Sequence, residues 1–136
     1  MQPEHVDPDL LIEQINTEEL YRRRLVWGRD LNDWHLTLDH WISTGLTAKA
    51  LELLELILET VETLEQFDTR EPQFYWYKMT AELYLSTGEP DKAADTLERW
   101  VAGWPDSRAV PDQARASLER TKTQITTKVA KLRKSA

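Results

Sequence analysis

Two stretches of the chain carry the same spacing. Trp34, Leu38, Trp41, Gly45, Ala50, Leu54 and Ile57 are separated by 4, 3, 4, 5, 4 and 3 residues, and Tyr77, Ala81, Tyr84, Gly88, Ala93, Leu97 and Trp100 repeat those steps 43 positions later. Thr37 with Thr80, Ser43-Thr44 with Ser86-Thr87, and Lys49 with Lys92 share the offset. Self-similarity at a fixed period marks a unit that buries its apolar face only against a neighbour. Steps of four and three follow the helical period, and the glycine between them is a helix stop. Each copy therefore predicts helix, turn, helix.

At 136 residues, 40% hydrophobic and 30% charged, the chain reads as one globular domain able to bury a core. Cysteine is absent, which removes disulfides, thiolate nucleophiles and cysteine-based metal sites. No apolar run approaches the roughly 18–20 residues that span a bilayer. Met1-Gln2-Pro3-Glu4-His5 has no signal-peptide character, so a soluble, cytoplasmic protein is expected. The net charge of −7 is unevenly spread. From Pro111 onward Arg115, Arg120, Lys122, Lys128, Lys131, Arg133 and Lys134 face only Asp112 and Glu119, a balance of +5 that leaves −12 on the rest. So acidic a body repels phosphate backbones and argues against direct nucleic-acid binding. The basic end could touch an acidic partner or the body itself; solvated cations complementing the helix dipole are the plainer reading.

Along the chain, residues 1–16 form an N-terminal extension, 17–110 the body and 111–136 a terminal helix with a basic tail. Asp7-Pro8-Asp9 predicts a short helix to about Gln14, and Thr17 caps another start. Leu20, Arg24, Trp27, Leu31, Trp34, Leu38 and Trp41 continue one phase from there. This is either a single helix over 18–44 or two helices with a break between Gly28 and Asn32. Gly28 and the capping residues Asp30 and Asn32 favour a break near Asp30. Further helices are predicted over about 47–67, 72–87, 90–103 and 111–132. No alternation is long enough to predict a strand.

The second copy, with Pro105 five residues after Trp100, closely resembles the tetratricopeptide repeat, whose period of about 34 residues wants large, small, aromatic, glycine, alanine, bulky, small and proline at these offsets. Trp100 departs by standing where a small residue is usual and needs a neighbouring helix to house it. The first copy departs at Leu38, lacks a closing proline, and implies about nine inserted residues. The resemblance covers residues 31–107. It implies an all-α fold of antiparallel helical hairpins stacked as a short array, with flanking helices as caps because two repeats fall short of the usual three. It also implies a concave groove lined by the first helix of each hairpin: Asn32, His35, Asp39 and Ile42, then Tyr75, Lys78, Glu82 and Leu85. Relatives that clamp a peptide carboxylate carry basic or asparagine side chains where His35, Asp39, Lys78 and Glu82 stand. Only Lys78 fits, and Asp39 with Glu82 favour a neutral or basic protein segment.

Catalytic chemistry finds little to stand on. His35 and Asp39 lie one turn apart, but two ligands do not hold a metal and no third is placed to help. Glu52, Glu55, Glu59, Glu62 and Glu65 recur at helical spacing and read as a solvated outer face rather than acid–base pairs. Phosphate loops and nucleophile elbows are missing. No enzyme, cofactor or metal is expected. In the run Phe74-Tyr75-Trp76-Tyr77, Tyr77 enters the core and Tyr75 points to the groove, while Trp76 or Phe74 must pack on the linker or stay partly exposed. The expected function is a scaffold or adaptor binding a protein segment. A looser resemblance, through Trp27–Asp33, Tyr77-Lys78, Gly88 and Ala93, is to the helical part of small terminase subunits of P2-like phages, which implies a nucleic-acid machine. No DNA-binding helix-turn-helix precedes that region here. Leu118, Ile125, Val129 and Leu132 stripe the terminal helix, which either caps the second repeat over Trp100 and Trp104 or pairs with a second copy as a homodimer; capping is favoured.

Overall fold

The computed structural model describes residues 18–19, 21–65, 74–104, 110 and 112–135. The expected helix over 7–14, the Thr17 cap, the linker over 68–72 with its Pro72 helix start, and the closing Pro105 lie outside the described residues. Among the described residues the fold is all-α apart from one two-stranded antiparallel hairpin.

That hairpin is where the single-helix alternative for 18–44 fails. Strand β1 (Leu25–Val26) pairs with β2 (Arg29–Asp30), Leu25 opposite Asp30 and Val26 opposite Arg29. Trp27 and Gly28 between them have φ of 51° and 79°, the two positive values a type I′ turn needs. Glycine adopts them freely, whereas a tryptophan there is strained, at a cost of about 1–3 kcal/mol. Arg24, the polar intruder in the stripe, grips Asp30 through Nε–Oδ2 at 2.9 Å, and the Leu31 amide donates to the Arg24 carbonyl. Asp30 also accepts the Asn32 amide and so caps a 3-10 turn, Leu31–Trp34. The helical chain stops at Arg23, earlier than the expected window, and restarts after Asp30, as its capping chemistry predicts; between them lies a strand pair too short for any period to announce.

Helix α1 (His35–Ser43) follows without a gap, then α2 (Thr47–Glu65), α3 (Phe74–Ser86), α4 (Pro90–Ala102) and α5 (Asp112–Ser135). The two glycine turns are built alike. Leu46 N–H donates to Trp41 C=O and Gly45 N–H to Ile42 C=O; 43 residues on, Glu89 N–H donates to Tyr84 C=O and Gly88 N–H to Leu85 C=O. This is the Schellman pattern, with each glycine at positive φ. Lys49 lies over the Trp41 ring at 5.4 Å and Lys92 over Tyr84 at 5.8 Å, again at the repeat offset.

The helices pack in chain order: α1 on α2, α2 on α3, α3 on α4 and α4 on α5, with β1 also resting on α2. The wide apolar stripe of α2 follows from this, since Leu53, Leu54, Ile57, Leu58 and Val61 are all buried between partners on more than one side. Ala81 and Ala93 are buried on the adjoining helices α3 and α4. Trp100 is buried beside Phe74, ring centroids 4.9 Å apart. Trp76 goes fully into the core, and Phe74 is the one of the pair that stays partly exposed; the linker itself lies outside the described residues.

The terminal helix lies on α4, with Leu118, Ile125 and Val129 buried and Leu132 packed alongside. Lys122, which interrupts the stripe, donates to the Trp104 carbonyl at 2.7 Å, just beyond the end of α4. At the far end Arg133 reaches Asp95 and Glu98 at 2.8 and 2.7 Å. Of the basic residues of this end, Lys122 and Arg133 meet the body, while Arg115, Arg120, Lys128, Lys131 and Lys134 are exposed, as the solvated reading expects.

Candidate functional site

The expected groove residues fall along two helices and the turn before the first. Asn32 is exposed on the 3-10 turn and His35 is half-buried at the first position of α1. Asp39 and Ile42 are exposed further along it. On α3, Tyr75, Lys78 and Glu82 are exposed, and Leu85 is half-buried against the core. The i, i+4, i+7 steps from His35 and the i+3, i+7 steps from Tyr75 keep each set on one helix face.

The two faces meet at one point. His35 stacks on Trp76 with centroids 4.8 Å apart at 22°, and lies 5.5 Å from Tyr75. The Tyr75 hydroxyl is 3.4 Å from His35 Nδ1. Tyr75 also meets the edge of Trp76, yet keeps 52% of its surface exposed. It is therefore a rigid aromatic with a free face, held by one helix against the other. Asp39, Lys78 and Glu82 form no ion pair among the described residues, so their charges stay available. His35 is engaged by rings and makes no ion pair with Asp39. No group of three or more metal-ligating side chains occurs among the described residues.

The acidic face of α2 departs from its reading as solvated. Glu62 accepts Arg99 Nε at 2.5 Å and Nη2 at 2.6 Å, a bidentate pair between α2 and α4. Glu55, two turns earlier, accepts Arg99 Nη1 at 2.9 Å and the Tyr84 hydroxyl at 2.7 Å. The Tyr77 hydroxyl donates to Glu62 at 3.2 Å. Hydrogen bonding to Glu62, opposed by burial, keeps the Arg99 guanidinium charged well above its ordinary range. Burial first, and then the bond to Glu55, push the Tyr84 phenol up as well. A cation that stays charged and a phenol that stays protonated hold helices in register and have no proton to exchange near neutrality. Of the five glutamates on that face, Glu52 and Glu59 are exposed as expected. Spacing alone carried no signal for this cluster: Glu55 and Glu62 are seven apart, but so are Glu52 and Glu59.

A second feature without a counterpart in the sequence reading is the hairpin tip. Trp27 is 52% exposed and meets Trp34 edge-on at 5.8 Å, while the Arg29 guanidinium covers the Trp34 ring at 4.5 Å. Trp34 donates its indole N–H to the Val26 carbonyl at 3.1 Å and so fixes the hairpin to the start of α1. No family model, no curated protein and no solved structure matches the chain.

Proposed function

We propose that this chain is a non-enzymatic interaction module of tetratricopeptide type, a scaffold or adaptor that binds a neutral-to-basic protein segment along the exposed faces of α1 and α3. The observation that carries the reading is Tyr75. Its ring is immobilised against His35 and Trp76 at the junction of the two helices, yet half its surface remains open. Tyrosines in such settings supply large contact area at small entropic cost, and they recur as binding anchors. Asp39 and Glu82 set the sign of the segment that would lie beside it, and Lys78 offers one counter-charge for an acidic side chain. The repeated Schellman turns and the repeated lysine–ring contacts support a duplicated helical unit, the architecture that presents surfaces rather than enclosed pockets.

The test is a comparative pull-down from the native host with the full chain and with a Tyr75→Ala/Glu82→Lys variant. A partner retained by the first and lost by the second, with unchanged helical circular dichroism, is the expected result. A partner held equally by both moves the site elsewhere on the molecule.

A further inference from the structure

We propose that the β1–β2 hairpin is a second docking element, separate from the groove, which takes an acidic protein segment with an apolar side chain seated on Trp27. The starting observation is conformational. Trp27 holds a left-handed φ of 51° at the first position of a two-residue turn where asparagine or glycine would sit without strain. Bulky residues in that region are rare, and such outliers persist where function keeps them. Contact with Trp34 accounts for part of the ring, but 52% of Trp27 remains exposed. An aromatic that is strained, half-open and mounted on a braced turn is a preorganised anchor. The bracing comes from the Arg24–Asp30 pair and from the Trp34 indole bonded to Val26.

Charge selects the occupant. Residues 21–29 contain four arginines, flanked by Glu18, Glu19, Asp30 and Asp33, so what matters is which cation stands beside the rings. Two of those arginines are neutralised within the chain, Arg23 by Glu19 and Arg24 by Asp30. Arg22 and Arg29 are exposed and form no ion pair among the described residues. Arg29 is moreover held over the Trp34 ring, which leaves its outward edge to fork a carboxylate. An apolar side chain on Trp27 with a carboxylate beside it at Arg29 is the complement of this surface. A polyanionic nucleic acid suits it less well, because the acidic remainder of the body repels an extended phosphate backbone.

Amide and indole NMR signals of the full chain, followed during titration with a short peptide of alternating glutamate and proline, test the assignment. The Trp27 indole and Arg29 amide are expected to move, with affinity falling as salt rises. A lysine–proline peptide is expected to move neither. Trp27→Asn, which fits the turn better, should lower the affinity about tenfold or more with an unchanged or raised melting temperature. Arg29→Ala should weaken binding without unfolding the hairpin. Four results would overturn the proposal: no movement with the acidic peptide, movement with single-stranded oligothymidylate instead, movement on raising the protein concentration alone, or a large drop in melting temperature for Trp27→Asn. The groove is probed by different signals, those of Tyr75 and Glu82, so failure at one surface leaves the other standing.

Discussion

Arg99 reaches from α4 across to α2 and is bound there by two glutamates that α3 also addresses through Tyr77 and Tyr84. Its side chain is 32% exposed, and those of Glu55 and Glu62 are 36% and 33% exposed. Solvent therefore weakens the pairing but does not abolish it. Removing one partner from such a cluster leaves like charges with no compensation. Arg99→Ala is expected to cost about 1–3 kcal/mol, measured as a shift in the urea midpoint. Arg99→Lys should recover only part of that, because an ammonium cannot grip Glu62 with two nitrogens. Adding Glu55→Gln and Glu62→Gln to Arg99→Ala should restore stability by removing the stranded charges. If the triple variant is no more stable than Arg99→Ala, the cluster is not electrostatic in origin. Nothing at positions 55 and 62 distinguished them from Glu52 and Glu59, since all four fit a solvated face. Only the packing of α3 and α4 sorts them, and packing between helices is not periodic information.

Among the elements, the glycine turns were open to sequence reasoning and the hairpin was not, for a physical reason. A Schellman turn has an intrinsic signature, because one position needs positive φ and the flanking residues keep helical phase. The hairpin has two residues per strand, and its turn places a tryptophan where the usual signal is asparagine. The apolar steps from Leu20 to Trp34 imitated a helix because Leu31 and Trp34 are buried while Trp27 stands at the exposed tip. The glycine turns can be tested directly. A Cβ built on Gly45 or Gly88 meets nothing within 4 Å, so substitution there is opposed by backbone conformation alone. Gly45→Ala and Gly88→Ala should each cost about 1 kcal/mol, and asparagine at either site should cost less than alanine. Closely similar penalties in thermal melts are expected from equivalent turns. A difference of several-fold between the two would argue that the repeat is one of sequence alone.

At the scale of the whole molecule, the chain is a sequence of neighbours in which each helix depends on the next. The apolar periodicities placed the last four helices to within a few residues, and the all-α class follows from them. Which groups face solvent along α1 and α3 also follows from helical phase, whereas the contact of His35 with Tyr75 and Trp76 depends on how two distant segments pack. No described helix is long and apolar enough to cross a membrane. The end of the array has the sharpest consequence. Helix α5 buries Leu118, Ile125 and Val129 against the rest of the chain, each worth about 1.5–3 kcal/mol when fully buried. Set against a total stability of about 5–15 kcal/mol for a typical domain, this contact is indispensable. Truncation after Val110 should therefore uncover the face of α4 on which α5 lies and give a destabilised, aggregating protein. Ile125→Lys in the full chain should lower the melting temperature in the same direction without altering chain length. Arg133→Glu, by contrast, reverses a charge in an exposed cluster with Asp91, Asp95 and Glu98, so its effect should be smaller and should fade in high salt. Sedimentation separates this capping role from a dimer seam. If the full chain sediments as a dimer and the truncation as a stable monomer, α5 is an association arm and its packing on α4 is not what holds the domain together.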